Sequence, residues 1–222
     1  MIPTLEITFN ASGAAEAAGR GRVVCIVDVV DASTSAEAAL AAGATAVLGA
    51  APASADPPVE VRPDAIGLRA VGLATDAGSD VVVAAEPRVG SQEERTEQAA
   101  PVLRALEGGG IGWELVPNQG AELPGLVKLD GRIVVVVSTT GGAAYDAAVA
   151  AGASEVCFAT TGRIEGRTGW EVAGAGAERA AELATRHGTG LAIVAASANS
   201  ADDVLAAQEI ARRVIGRGFL AR

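Results

Sequence analysis

Aromatic residues are scarce: three Phe, two Trp and one Tyr make up 3% of the 222 residues. A core built around large rings is excluded. Half of the chain is apolar, so the core has to be packed from Val, Leu, Ile and Ala, whose small side chains let helices lie close on a sheet. His187 is the one histidine and precedes Gly188, a helix-end position that a favourable dipole interaction explains. With no second His and no placed Cys there is no zinc site and no Ser-His-Asp triad. Lysine occurs once, against sixteen Arg, a bias we assign to the composition of the source genome. No Walker A loop is present, and no GxGxxG follows a strand. The two cysteines, Cys25 and Cys157, lie in apolar stretches and read as buried small hydrophobes. No apolar run reaches the roughly 18 residues of a membrane span. The N-terminus carries Glu6 and lacks a charged n-region, so a cytoplasmic location is expected.

Positive charge is also in deficit. Residues 1–110 hold seven Arg and fifteen acids, or −8; residues 111–222 hold nine Arg, one Lys and twelve acids, or −2, which together make the net −10. An acidic surface argues against nucleic acid, which needs a basic footprint, and against anionic membranes. A phosphorylated substrate remains compatible if a divalent cation stands between it and the protein.

What is present is organised around residues 22–50. The run 23–30 is apolar and β-branched except for Cys25 and Asp28, as suits a strand buried on both faces of a parallel sheet. It breaks into Asp31-Ala32-Ser33-Thr34-Ser35, which are N-cap residue types before an alanine-rich helix that stops at Gly43. Two carboxylates, three hydroxyls and a helix N-terminus thus meet at the carboxyl end of a strand, where open α/β sheets bind ligands.

The same pattern returns 109 residues later. Ala38, Ala39, Ala41, Ala42, Gly43, Ala44 and Val47 fall on Ala147, Ala148, Ala150, Ala151, Gly152, Ala153 and Val156, with Glu37 on Asp146. At a shift of 110, Leu73-Ala74-Thr75 and Gly78 fall on Leu183-Ala184-Thr185 and Gly188. Weaker echoes pair Asn10 with Asn118 and Gln98 with Gln208. The expected fold is α/β, built by internal duplication from two similar α/β/α halves, 1–110 and 111–222, on largely parallel or mixed sheets. Strands are expected at 4–9, 23–30, 46–48, 80–85, 113–116, 133–137, 155–159 and 191–196. Helices are expected at 64–77, 93–107, 143–151, 176–187 and 200–216, besides the one after Asp31. Residues 10–21 receive no assignment, and the Pro-rich stretch 50–63 reads as a mobile loop.

A carboxylate inside an apolar strand, as at Asp28, must be paired, protonated or metal-bound. It reads either as an acceptor for backbone N–H groups of the following turn or as a site residue. Asp31 and Glu86 read as a cap and a loop carboxylate, or, with Asp28, as hard oxygen ligands suited to Mg²⁺. Ser138-Thr139-Thr140-Gly141-Gly142 offers hydroxyls and N–H groups at a helix start, which serve as an ordinary cap or as an anion cradle.

At these residues the chain resembles the 2-phosphosulfolactate phosphatase (ComB-like) family. The family signature V-I-D-V-L-R-A-S-T-T is similar to the segment from Ile26 to Ser35, which reads IVDVVDASTS. Its G-E-R element resembles Ala85-Glu86-Pro87-Arg88, and its G-N-S-P-x-E element resembles Pro117-Asn118-Gln119-Gly120-Ala121-Glu122. Its T-T-N-G-T element resembles Ser138 to Gly142, and a late serine before paired acids resembles Ser200 with Asp202 and Asp203. The departures are specific: the family arginine falls on Asp31, asparagine on Thr140, threonine on Gly142, and the proline of the asparagine element on Gly120.

The resemblance implies Mg²⁺-dependent hydrolysis of a phosphate monoester of a small sulfonated or carboxylated acid, on a path towards coenzyme M or a related sulfonate. It implies Asp28, with Asp31 or Glu86, as metal ligands, and Asp28, Asn118 and Arg88 in catalysis. Ser33, Thr34, Ser35, Ser138, Thr139, Thr140 and Gly141 would bind substrate. The charge reversal at Asp31 removes a bidentate anion contact and opens the alternative of a catalytically degenerate relative that binds a small anion or a protein partner. Both readings allow a homodimer.

Overall fold

The structure is a computed structural model and describes residues 3–221. It is an α/β fold of two four-stranded sheets, with every strand pair parallel. In chain order the elements are β1 (Leu5–Phe9), α1 (Asn10–Gly19), β2 (Val23–Val27), α2 (Ala32–Ala41), β3 (Ala46–Ala50), α3 (Pro63–Ala77), β4 (Val81–Ala85) and α4 (Gln92–Gly108). They continue with β5 (Trp113–Pro117), a 3₁₀ segment (Gly120–Gly125), β6 (Ile133–Val137), α5 (Gly141–Ala150), β7 (Val156–Phe158), α6 (Gly169–Arg186), β8 (Leu191–Ala195) and α7 (Ala201–Gly216). No helix among the described residues is long and apolar enough to cross a membrane.

One sheet runs β1-β8-β2-β7 and the other β3-β6-β4-β5. Under the repeat, β1, β2, β3 and β4 correspond to β5, β6, β7 and β8, so the two orders are images of each other. The halves 1–110 and 111–222 are not, however, two separate units. Each sheet takes two strands from each half, because β3 leaves the sheet of β2 and pairs with β6, while β7 crosses the other way to pair with β2. The repeat boundary near residue 110 is thus not a division between the two sheets. The repeat marks β3 and β7 as strands at equivalent positions, but sequence periodicity does not distinguish own from exchanged partners.

The layers follow from which faces are apolar. Val23, Cys25 and Val27 of β2 and Leu191, Ile193 and Ala195 of β8 pack against α6 and α7. The opposite face, with Val24, Ile26, Ala192 and Val194, joins the larger core that includes the second sheet. Helices α2 and α5 touch both sheets, while α3 and α4 pack on the second. β2, β4, β6 and β8 are buried along their whole length, which accounts for their unbroken Val/Ile character. The few rings do gather: Tyr145 of α5 stacks on Phe158 of β7 with centroids 5.1 Å apart. Gly49 makes room for them, since a Cβ there would lie 2.7 Å from the Tyr145 Cβ.

Three local expectations change. Residues 10–19 form α1 although no apolar period marks them; the helix opens at Asn10 with φ 60°, a conformation Asn tolerates better than most residues. α6 starts at Gly169, earlier than residue 176, behind a Thr168–Glu171 capping box. The loop is 51–62, since Ala50 closes β3 and Pro63 opens α3, and it is tethered: Ala51 and Arg62 donate backbone N–H bonds to Asp146 at 3.1 and 2.6 Å.

Candidate functional site

The turns that the sequence singles out follow the carboxyl ends of β2, β4, β5 and β6. Asp28 follows β2 and is 3% exposed. Its Oδ2 accepts from Thr140 Oγ1 and from the Gly141 N–H, both at 2.8 Å, and its Oδ1 from the Asp31 N–H at 3.2 Å. The turns after β2 and β6, one in each sheet, are therefore bonded to each other through this one carboxylate. Asp28 caps α5, a helix of the other repeat, rather than only its own turn. Ser138 Oγ accepts the next free N–H, from Gly142 at 2.8 Å. The positive end of α5 is thus already met by protein acceptors, which favours the cap reading of Ser138 to Gly142 over the anion cradle.

The hydroxyls after Asp31 are likewise committed. They lie inside α2 and not at its cap. Ser33 Oγ accepts from the Asp28 N–H and donates to the Ile26 carbonyl, each at 2.9 Å. Thr34 Oγ1 donates to the Val29 carbonyl and lies 2.9 Å from Thr160 Oγ1. Ser35 Oγ donates to Asn118 Oδ1. Ser33, Ser35, Ser138 and Asn118 are all 0% exposed. Such back-bonding satisfies a hydroxyl buried between sheets, and it leaves these groups no free face for a substrate. Asn118 Nδ2 is buried without a protein acceptor among the described residues.

A cleft of about 670 Å³ opens beside these turns, lined by Asp31, Glu86, Arg88 and Thr139 among the expected residues. Thr140 lines a neighbouring cavity of about 310 Å³. Asp28, Ser33, Thr34, Ser35, Asn118, Ser138 and Gly141 lie on neither wall. Pro52, Ser54, Glu94, Glu97 and Gln98 also line the larger cleft; of these, only Gln98 carried a sequence signal, its echo at Gln208. Arg88 Nη2 donates to the Val30 carbonyl at 2.7 Å and to Asp31 Oδ1 at 3.1 Å. The loop that carries Arg88 is held by Arg95, which donates to the Pro87 and Arg88 carbonyls, and by Gln119 Nε2. Asp31 therefore stands opposite an arginine, and the charge reversal is compensated locally.

Glu86 Oε2 accepts from Thr139 N–H and Oγ1 at 3.0 and 3.1 Å. Burial raises the pKa of both Glu86 and Asp31. Asp28 raises each further, and Asp31 adds to Glu86, while Arg88 opposes the shift at Asp31 and the Thr139 bonds oppose it at Glu86. These carboxylates share one field, with Arg88 the one cation on the cleft wall among the described residues.

Among the described residues no three His, Cys, Asp or Glu side chains gather as a metal-binding group. Mg²⁺ is commonly held by one or two carboxylates, with waters and substrate phosphate completing the shell. Asp31 Oδ2 and Glu86 Oε1 have no protein donor among the described residues, so this pair fits. Asp28 does not, since N–H and O–H groups already point at both of its oxygens.

Two carboxylates outside the cleft give the fold a pH signature. Asp203 of α7 accepts from the Val29 and Ser197 N–H groups at 2.9 and 3.2 Å, and burial raises it to about 6. Asp146 is raised to about 6 by burial as well. Both have an ordinary value of 3.8, so the folded chain holds these protons more tightly than the unfolded one. Their contribution is complete below 3.8 and is lost as pH rises through 6. The urea midpoint is expected to fall between pH 4.5 and 7.5. Glu209, which its arginines Arg212 and Arg213 hold near 2, does not titrate in that window. A midpoint that stays level or rises contradicts this account.

Comparison with known proteins finds no family model that matches the chain and no curated protein similar to it.

Proposed function

We propose that the cleft binds a divalent cation at Asp31 and Glu86 and hydrolyses the phosphate monoester of a small sulfonated or carboxylated acid, as in the 2-phosphosulfolactate phosphatases that the sequence resembles. The observation that carries this reading is the pair itself. Asp31 and Glu86 are partly buried carboxylates on one cleft, each raised by burial and by neighbouring negative charge, and each has a free oxygen. A bound Mg²⁺ supplies positive charge against phosphate oxygens and lowers the pKa of a coordinated water. Arg88 offers a guanidinium to the acid group of the substrate once released from Asp31. The Thr139 N–H and hydroxyl hold Glu86 in one orientation. Glu94 and Glu97 on the far wall repel an uncompensated dianion, which makes metal dependence an expected property.

The test is phosphate release from 2-phosphosulfolactate and a panel of 2-phospho-carboxylic acids with and without Mg²⁺. Glu86→Gln is expected to reduce release by roughly 100-fold or more, while leaving the unfolding temperature unchanged or higher because it removes a desolvated charge. No release from any substrate, together with no Mg²⁺-dependent shift of the unfolding temperature, rules the reading out.

A second reading is favoured by the Arg88–Asp31 ion pair and by the committed hydroxyls: a degenerate relative that binds a small anion or a protein partner without turnover. It requires ligand binding that survives chelation. Binding abolished by chelator argues against it.

A further inference from the structure

Between the 670 Å³ cleft and the 310 Å³ cavity runs the Pro-rich segment 51–62. Pro52 and Ser54 wall the first, Pro57 and Pro58 wall the second, and Thr139 lines both. The segment has no helix or strand and is tied at three points. The Ala51 N–H donates to Asp146 Oδ2 at one end, and the Arg62 N–H to Asp146 Oδ1 at the other. In between, the Ala53 N–H reaches the Gln98 carbonyl at 2.8 Å and Ser54 Oγ the Gln98 Oε1 at 2.6 Å. One fully buried carboxylate on α5 thus clamps both ends. Glu37, its partner in the repeat, is bonded to Arg179 of α6 instead, so the backbone latch belongs to this loop alone of the two.

We propose that segment 51–62 is a hinged strap, latched on α5 by Asp146 and on α4 by Gln98, whose opening uncovers the wall common to both cavities. This goes beyond the phosphatase reading and does not depend on it. Ala53, Ser54, Asp56, Pro58, Glu60 and Arg62 of the strap are exposed, whereas β6 is buried throughout, which places the strap at the low-stability end of local opening. It also couples opening to protonation. Burial is the largest influence on Asp146, raising it to about 6, and the Arg62 and Ala51 N–H groups oppose this. Asp64 in the first turn of α3 raises it further and the Arg62 side chain lowers it. Glu16 of α1 and Glu37 of α2 sit on helices packed against α5, and Arg69 and Glu155 act on the adjacent Tyr145. An open strap returns Asp146 to water and to its ordinary 3.8. The closed state therefore binds the proton more tightly: lower pH favours closure, and opening grows as pH rises through 6.

Amide hydrogen exchange on the intact protein, corrected for intrinsic rates, reads this directly. Protection of the Ala51 and Arg62 amides is expected to fall by about 25-fold between pH 4.5 and 7.5, the linkage between 3.8 and 6 over that range. At pH 7.5 it should lie at least about tenfold below that of Val134 to Val136 in β6. In Asp146→Asn the pH dependence of the strap should vanish; if that variant does not fold, the native series decides alone. Strap amides with flat protection across this range, or exchanging only as slowly as β6, overturn the proposal.

Discussion

Asp28→Ala is expected to lower stability by about 3–5 kcal/mol, read from the urea midpoint. The substitution strands the Gly141 N–H and the Thr140 hydroxyl at the start of α5 and the Asp31 N–H at the start of α2. Hydrogen bonds to a charged acceptor contribute about 1.5–3 kcal/mol each, and a buried donor left alone costs about 1–3 kcal/mol. The loss also cuts the one side chain seen to bond the β2 turn to the β6 turn. Asp28→Asn keeps one acceptor oxygen and is expected to cost about half as much. If alanine costs under about 1 kcal/mol yet abolishes catalysis, Asp28 belongs to the chemistry and the capping account fails.

Gly142→Ala is the second large effect. A Cβ at Gly142 would lie 2.2 Å from the Ala50 carbonyl oxygen and 3.1 Å from its carbon. Neither partner yields: Ala50 is fully buried and ends β3, in register with Val137 of β6. Overpacking against fixed backbone costs upwards of about 3 kcal/mol, so the variant is expected either to unfold at a much lower urea concentration or not to fold. Gly72→Ala supplies the contrast. Nothing lies within 4 Å of its Cβ and it sits inside α3, so alanine there should add about 0.5–1 kcal/mol. Equal effects at the two glycines would discard the close-approach argument.

Much of the fold was legible because burial leaves a pattern. β2, β4, β6 and β8 announce themselves as short Val-rich runs, and Gly43, Gly78, Gly152 and Gly188 mark helix ends with φ between 61° and 92°. α1 was not legible, since Asn10 to Gly19 is mostly Ala and Gly and carries almost no apolar period. Of the candidate site residues, the structure brings some to a cleft and buries others. Asp31, Glu86, Arg88 and Thr139 do share a cleft. Asp28, Ser33, Ser35 and Ser138 carry the residue types of a phosphate site, yet their polar atoms face backbone groups and the side chains of Thr140 and Asn118. A hydroxyl that caps or back-bonds is spelled the same way as one that binds a ligand. Glu94 and Glu97, which also line the larger cleft, come from α4 and had no motif to mark them.

The chain's own periodicities determined that buried parallel strands alternate with Ala-rich helices, that the pattern occurs twice, and that polar turns stand at the strand ends. Those properties are local, set by side-chain size and hydrogen-bonding type within a few residues. Tertiary structure alone decided that β3 and β7 change sheets and that Asp28 serves a helix 113 residues away. Strands of similar apolar pattern leave the choice of partner open, and only the packing of all layers at once selects between them.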